Sequence, residues 1–367
     1  MNREDVVSLL SALVAIDSVN PTLEPGGAGE AEIAAHVADW SRDAGLEVEL
    51  LEDTPGRPSV LARAPGSGGG RRLVLCGHLD TVGFEGVDAP LAPRLDGDRL
   101  YGRGAYDMKA GVVAALLACR AAARLGLAGE VVVAAVADEE HSSIGAQEAV
   151  RALGGADAAI VTEPTQMEVC IAHKGFVWAE LEVRGRAAHG SRHDLGVDAI
   201  VKAGPLLTAL GELDASLAAD EHPLLGRGSV HASLVSGGRD LATYPERCTI
   251  GLERRTLPDE SREAIEAELG RLAEGHDAEA RILLVRPPLE TAEDDPLVDA
   301  LRRHAGDPAV TGAAFWADSA FFSAAGIPTV LFGPGGEGAH ADVEWVSVGD
   351  TLACAEALVV VAADLCS

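Results

Sequence analysis

An α/β fold with a mostly parallel sheet, carrying a smaller inserted α+β unit, is the class this sequence predicts. Three observations carry that expectation. Short apolar runs at Leu73–Cys76, Glu130–Ala137 and Ala158–Thr162 have the length of strands buried on both faces. Helical stretches alternate with them, as the crossovers of a parallel sheet require. Between about residues 176 and 285 the pattern changes to the two-residue alternation of a half-exposed sheet.

Residues 3–16 and 29–45 read as helices, the second presenting Ala31, Ile33, Ala34, Val37 and Ala38 and ending at Gly45. Strands follow at Glu47–Glu52 and around Val60–Arg63. The glycine-rich Pro65–Gly70 joins two strands and opens no helix, so it reads as a hairpin tip rather than a phosphate cradle. After Leu73–Cys76 comes a helix of small apolar residues at Lys109–Leu125, then the strands Glu130–Ala137 and Ala158–Thr162. In Phe176–Arg184, Val177, Ala179, Leu181 and Val183 share one face, while Trp178, Glu180, Glu182 and Arg184 share the other. A helix at about 196–219, strands 229–236 and 247–254, a helix at 259–274 and a strand at 279–285 follow. This is the β-α-β-β-α-β order of a ferredoxin-like sandwich. Gly237, Gly238 and Pro245 punctuate its hairpin. A buried strand at Thr329–Phe332 and a closing apolar helix through Leu358–Val361 return the chain to the larger layer. The expected division is a catalytic-type domain at 1–173 and 287–367, with an inserted domain at 174–286.

The 367 residues include 58 acidic and 29 basic side chains, a formal charge of −29. Such a surface argues against nucleic acid and anionic membrane as partners, because both demand positive charge. No apolar run reaches the length of a membrane span. Arg3–Leu10 starts an amphipathic helix rather than a signal peptide. Six cysteines lie far apart with no C-x-x-C pair, four of them in apolar stretches. A reduced, cytoplasmic location is the expectation that follows.

Carboxylates and histidines stand just past the apolar runs. His78 and Asp80 follow Leu73–Cys76, Glu139 and Glu140 follow Val131–Val136, and Glu163 follows Ile160–Thr162. His340 comes after Thr329–Phe332 across the loop Gly333–Gly336, and Asp107 precedes the helix at Lys109. Open parallel sheets bind ligands beyond the carboxyl ends of their strands, so a parallel sheet would gather these groups at one rim. Each residue alone has a plain structural reading, as a cap, a solvated pair or a core histidine. Together they describe a metal site built from several loops, of the kind that activates water. In extended backbone, residues two apart face the same way. Asp80 is therefore expected to accept a hydrogen bond from the far nitrogen of the His78 ring and to orient it. Glu139 and Glu140, being adjacent, cannot easily serve one metal from the same face. One ligand and one general base is the expected division.

The segments Gly77–Val82, Gly102–Gly111 and Asp138–Glu140 resemble the metallopeptidase M20 family. That family includes acetylornithine deacetylases, succinyl-diaminopimelate desuccinylases, aminoacylases and glutamate carboxypeptidases. The resemblance runs over nearly the whole chain. It implies a zinc hydrolase with two Zn2+ ions bridged by Asp107, one completed by His78 and Glu163, the other by Glu140 and His340. Co2+ or Mn2+ are the expected substitutes, since carboxylate-rich sites accept several metals. Glu139 would be the general base, and the Asp107–Met108 peptide would be cis. The inserted unit would be a lid that pairs with its twin in a homodimer. His189 would steady the oxyanion, in its own subunit or the partner's. Arg255, or neighbouring Arg254, would bind a substrate carboxylate. Ala242 stands where many members carry asparagine, so one polar substrate contact is replaced or absent. The implied activity is hydrolysis of the amide bond of a small N-acyl amino acid. A dipeptidase or carboxypeptidase of the same family is the alternative, and a non-catalytic metal-binding interaction protein is the rival from another class. The intact Glu139 argues against the last.

Overall fold

A computed structural model describes all 367 residues, which divide into two units. One comprises Met1–Ile171, Thr291–Thr311 and Ala317–Ser367; the other comprises Ala172–Glu290 and Gly312–Trp316. The short return segment Gly312–Trp316 belongs with the second unit, which no change of composition announces.

In the first unit the strands Glu130–Val136, Arg72–His78, Ala158–Val161 and Thr329–Leu331 lie side by side, parallel and in that order. Val74 pairs with Val132 on one side and with Ala159 on the other. Ser59–Ala64 and then Glu47–Leu51 extend the Glu130–Val136 edge in antiparallel fashion. The start of Val169–His173 runs antiparallel beside Thr329–Leu331. Parallel neighbours need crossovers, and the helices Ala110–Ala122 and Ile144–Leu153 supply two of them. Every residue of Glu130–Val136 after the first is buried although alternate side chains face opposite ways, so the sheet is covered on both faces. Its largest core gathers Leu73, Leu75, Val131 and Val133 with Val113 and Leu117 of Ala110–Ala122 and with Leu358 and Val361 of Val348–Leu365. Asn2 and Asp5 form a capping box on helix Arg3–Val14, and Ser347 caps Val348–Leu365. No helix is long and apolar enough to cross a membrane. All six cysteines are free and buried.

The loop at Pro65–Gly70 is not a hairpin tip. The strands it joins, Ser59–Ala64 and Arg72–His78, are separated in the sheet by Glu130–Val136. Gly66 and Gly70 press against the main chain of Ala128 and Gly129, where a Cβ on either would collide. Two apolar runs close in sequence look alike whether or not a third strand later enters between them. The strand Val169–His173 and the helices Ile144–Leu153 and Pro296–His304 also escape the sequence reading.

The second unit is a four-stranded antiparallel sheet in the order Ser229–Gly237, Arg247–Thr256, Gly175–Arg184, Ala278–Arg286. Helices Ala199–Ser216 and Arg262–Glu274 follow the first and third strands in the chain, giving the β-α-β-β-α-β sequence of elements. Val177, Ala179, Leu181 and Val183 of one strand are buried with Leu206, Leu210, Ile265 and Leu269 of the helices. Arg254 is wholly buried among them and ion-paired to Glu260 and Glu268. Breaking a buried pair by removing one partner costs about 3 to 5 kcal/mol. Both glutamates keep 23% of their side-chain exposure and can rehydrate in part. Arg254→Met should therefore lower stability by about 2 kcal/mol, measurable by urea unfolding.

Candidate metal centre

His78 is the last residue of the strand Arg72–His78, Glu139 and Glu140 lie in the turn after Glu130–Val136, and Glu163 follows Ala158–Val161. These three strands are parallel, so their carboxyl ends meet at one rim. Asp107 joins them from the irregular turn Ala105–Lys109, which leads into helix Ala110–Ala122 and contains a cis Asp107–Met108 peptide. His340 arrives on the loop after Thr329–Leu331.

The two carboxylate oxygens of Asp107 face different histidines. Oδ1 lies 3.2 Å from His78 Nε2 and Oδ2 lies 3.3 Å from His340 Nε2. Glu140 approaches His340 Nε2 to 3.1 Å. Glu139 and Glu163 each come within 3.9 Å of His78 Nε2. His78, Asp107 and Glu140 bring one ligand atom each into a common neighbourhood, as do His78, Glu139 and Glu163. Glu139 thus lies as near to His78 as Glu163 does.

The orientation of His78 differs from the sequence expectation. Its Nδ1 sits 2.9 Å from the main-chain carbonyl of Asp80, and the Asp80 carboxylate is 3.7 Å away. A carbonyl only accepts, so Nδ1 carries a proton and Nε2 faces the cluster. The Asp80 carboxylate is buried and does something else. It accepts from Asn20 Nδ2 at 2.7 Å and from the N–H groups of Glu139 and Glu140 at 3.1 and 3.2 Å. Asp80 therefore shapes the turn that presents the glutamate pair. Asp138 faces away from the histidines toward Asn20 and Arg57, and Arg57 also pairs with Glu30. Asn20, Glu30 and Arg57 carried no sequence signal, because a buried polar network has no local periodicity.

Glu344 is likewise unanticipated. It is buried and accepts from Arg103 Nη1 at 2.8 Å and from the N–H groups of Gly104, Tyr106 and Asp107 at 2.9, 2.8 and 3.0 Å. Lys109, also buried, donates to the carbonyls of Leu13 and Ile16 at the end of the first helix.

The charges in the cluster are unbalanced. Asp107, Glu139, Glu140 and Glu163 have no Lys or Arg partner, only the two histidines. Burial pushes the Glu163 carboxyl up to about 8, helped by the nearby charges of Asp107, Asp318 and Glu140 and opposed by His78. Burial likewise holds Glu139 well above the usual carboxylate range. Asp107 goes the other way, since His340 and His78 together outweigh its burial. Its hydrogen bonds to Asp107 and Glu140 push His340 up to about 10. Four carboxylates and two imidazoles, converging with no lysine or arginine among them, are the donor set that a divalent cation satisfies. The residues fit a metal.

The other predicted residues belong to the second unit. His189 is exposed; its Nδ1 accepts from the Ser191 N–H at 3.2 Å, which leaves the proton on Nε2, free to donate. Arg255 is 31% exposed, bonds Glu253 at 2.8 Å and stacks over Phe176 at 5.1 Å. Buried Arg254 is committed to Glu260 and Glu268, so it drops out as the carboxylate-binding alternative. In the first unit, His141 next to the glutamate pair is exposed and bonded to Ser142.

The model of peptidase family M20/M25/M40 matches residues 74–364. The chain is 31% identical over 380 residues to an acetylornithine deacetylase of Myxococcus xanthus, covering 99% of this chain and 94% of that one. It is 29% identical over 271 residues to an acetylornithine deacetylase of Vibrio atlanticus, covering 70% of each. Among solved structures it resembles aminopeptidase PepT of Bacillus cereus, with a TM-score of 0.81 at 22% identity over all of both chains. It also resembles YXEP of Bacillus subtilis, described as a dinuclear metal binding peptidase of the M20 family, with a TM-score of 0.75 at 16% identity over 99% of this chain and 98% of that one. The parallel sheet, the ligand-bearing rim and a match over most of the length agree: the chain belongs to peptidase family M20/M25/M40, hydrolases of amide bonds.

Proposed function

We propose that this chain is a two-metal hydrolase that removes the acyl group from a small N-acyl amino acid. The observation that carries the reading is Asp107, whose two oxygens face two histidines, one from a strand end and one from a distant loop. A relative of 31% identity over nearly the full length, named as a deacetylase, supports a deacylase over a peptidase. His78, Asp107 and Glu163 would hold one Zn2+, and Asp107, Glu140 and His340 the other. Ions bound there supply Lewis acidity toward a carbonyl and lower the pKa of water.

Glu139 takes the proton of the attacking water and returns it to the departing amine, a task suited to a buried carboxylate of raised basicity. Asp80 holds the main chain of Glu139 in place for this. Nε2–H of His189 donates to the developing oxyanion, and Arg255 binds the substrate carboxylate. A homodimer through the second unit is supported by its edge strand Ser229–Gly237, where Leu234 and Val235 are 74% and 55% exposed. Six free thiols support a cytoplasmic location.

At neutral pH, Glu163 (about 8) and His340 (about 10) hold protons in the metal-free chain. Raised values mean that an incoming ion competes with protons below them. Apparent metal affinity should therefore rise from pH 6 to pH 8, with protons released on binding. Calorimetry in buffers of different ionisation enthalpy measures both.

The direct test is hydrolysis by zinc- or cobalt-loaded protein of N-acetyl, N-succinyl and N-formyl amino acids and simple dipeptides, with a chelated sample as control. Chelator-sensitive turnover of one N-acyl series is expected. Turnover of dipeptides alone would replace the deacylase reading with a peptidase. No turnover with two ions bound would favour the non-catalytic rival.

A further inference from the structure

We infer that Glu344 and Arg103 form a clamp that sets the spacing between Asp107 and His340, and so position the ligands of the second metal. The inference rests on the two-metal reading above. His340 and Glu344 lie on one segment four residues apart, and that segment runs along the loop bearing Asp107. The contact is continuous. Trp345–Ser347 pairs antiparallel with Arg99–Tyr101, Gly102 N–H donates to the Glu344 carbonyl at 3.3 Å, and Arg103 Nη2 donates to the Ala341 carbonyl at 3.0 Å. The Glu344 side chain then takes three main-chain N–H groups of the Asp107 loop, including that of Asp107 itself at 3.0 Å.

Its two oxygens divide the work. Oε2 takes Arg103 and Gly104, and Oε1 takes Tyr106 and Asp107. All four partners are donors, so only an ionised carboxylate, which accepts at both oxygens, satisfies them together. A glutamine in the same space would turn an NH2 group toward two donors. Arg103 completes the arrangement by bridging Glu344 and Ala341, one residue past His340. His78 and Glu163 stand instead at strand ends held by the sheet ladder. Loosening the clamp should therefore fall on the metal bound through Glu140 and His340 more than on the metal bound through His78 and Glu163. Glu344 is not one of the clustered ligand residues and bonds instead to Arg103 and the Asp107 loop, so its role is positioning.

The test is calorimetric titration of the metal-free full chain with Co2+, followed by the visible absorption of each equivalent, for the unaltered chain and Glu344→Gln. The first ion, which shares Asp107, should bind the variant within a few-fold of the unaltered chain. The second should bind about 10- to 100-fold more weakly, with an altered visible band, the cost typical of a lost outer partner. Two ions bound alike by both proteins would overturn the clamp alone. Equal weakening of both ions with a lowered unfolding temperature would also overturn it, showing a merely structural role. An unaltered chain that takes fewer than two ions would overturn the two-metal reading and the clamp with it. If Glu344→Gln does not fold, Arg103→Lys carries the same test. It keeps the charge but loses the planar fork that reaches Glu344 and Ala341 together.

Discussion

Glu139→Gln should lower turnover by about 10²- to 10⁴-fold, the range a positioned general base contributes, while the protein keeps two metal ions. The substitution preserves size and removes only the capacity to accept a proton. Geometry leaves a definite contest for this residue. Glu139 is as close to His78 as Glu163 is, at 3.9 Å each, and the three form one of the two ligand groups at the rim. If Glu139 served as a ligand, its amide replacement would cost metal as well as turnover. Two features favour the base. Its carboxylate takes no hydrogen bond from the chain and has His78 as its ion-pair partner, and burial holds it above the usual carboxylate range, closer to the pH at which water must give up its proton. Metal content by atomic absorption, measured beside kcat, separates the two. Turnover lost with both ions retained supports the base; one ion lost with it assigns Glu139 to the ligand set; substantial turnover removes Glu139 from the reaction.

Asp107→Asn should have the larger effect on the metal. The two oxygens of Asp107 face His78 and His340, one from each proposed ligand set, so both positions would lose their shared donor. A carboxamide presents one oxygen, and its NH2 would confront an imidazole nitrogen. Bound metal should fall from two ions per chain to one or none, and activity to background. Stability should follow. An ion present at 100 times its Kd stabilises the folded state by about 2.7 kcal/mol, a contribution the variant forfeits and a chelator removes from the unaltered chain. Unfolding temperature with and without chelator measures this. The unaltered chain should drop sharply on chelation and Asp107→Asn hardly at all. Equal drops in both proteins would show that metal holds the fold without Asp107.

Much of the site could be read before any coordinates. His78, Glu139, Glu140 and Glu163 stand just past apolar runs, and apolar runs of that length are strands because burial on both faces demands it. Once those strands are parallel, their carboxyl ends share a rim. Asp80 was legible as a functional residue but not in its role. The rule that residues two apart face the same way paired it with the His78 ring. In the folded chain the backbone carbonyl of Asp80 takes that nitrogen, and its carboxylate answers three donors from two distant segments. The glycine loop at Pro65–Gly70 failed for a related reason, since strand adjacency in a sheet is not adjacency in sequence. Arg254 and Arg255 are indistinguishable in the sequence. One side of the strand is buried against helices and the other is not, and only the register of Arg247–Thr256 decides which arginine falls where.

What the sequence determined by itself is local: the alternation of strands and helices, the change of period that marks the second unit, and the kinds of ligand at the ends of the strands. Those follow from patterns a few residues long, which burial and backbone geometry translate directly into structure. Tertiary structure decided everything that depends on partners far apart. Glu344 meets Arg103 across 241 positions, His340 meets Glu140 across 200, and Asn20 meets Asp138 across 118. Glu344, Arg103, Asn20 and Asp138 are buried polar groups, each of which needs its partner to offset the loss of water. No short-range pattern records which distant group will supply it. The ligands were written along the chain; the network that aims them exists only where the sheet and its loops close.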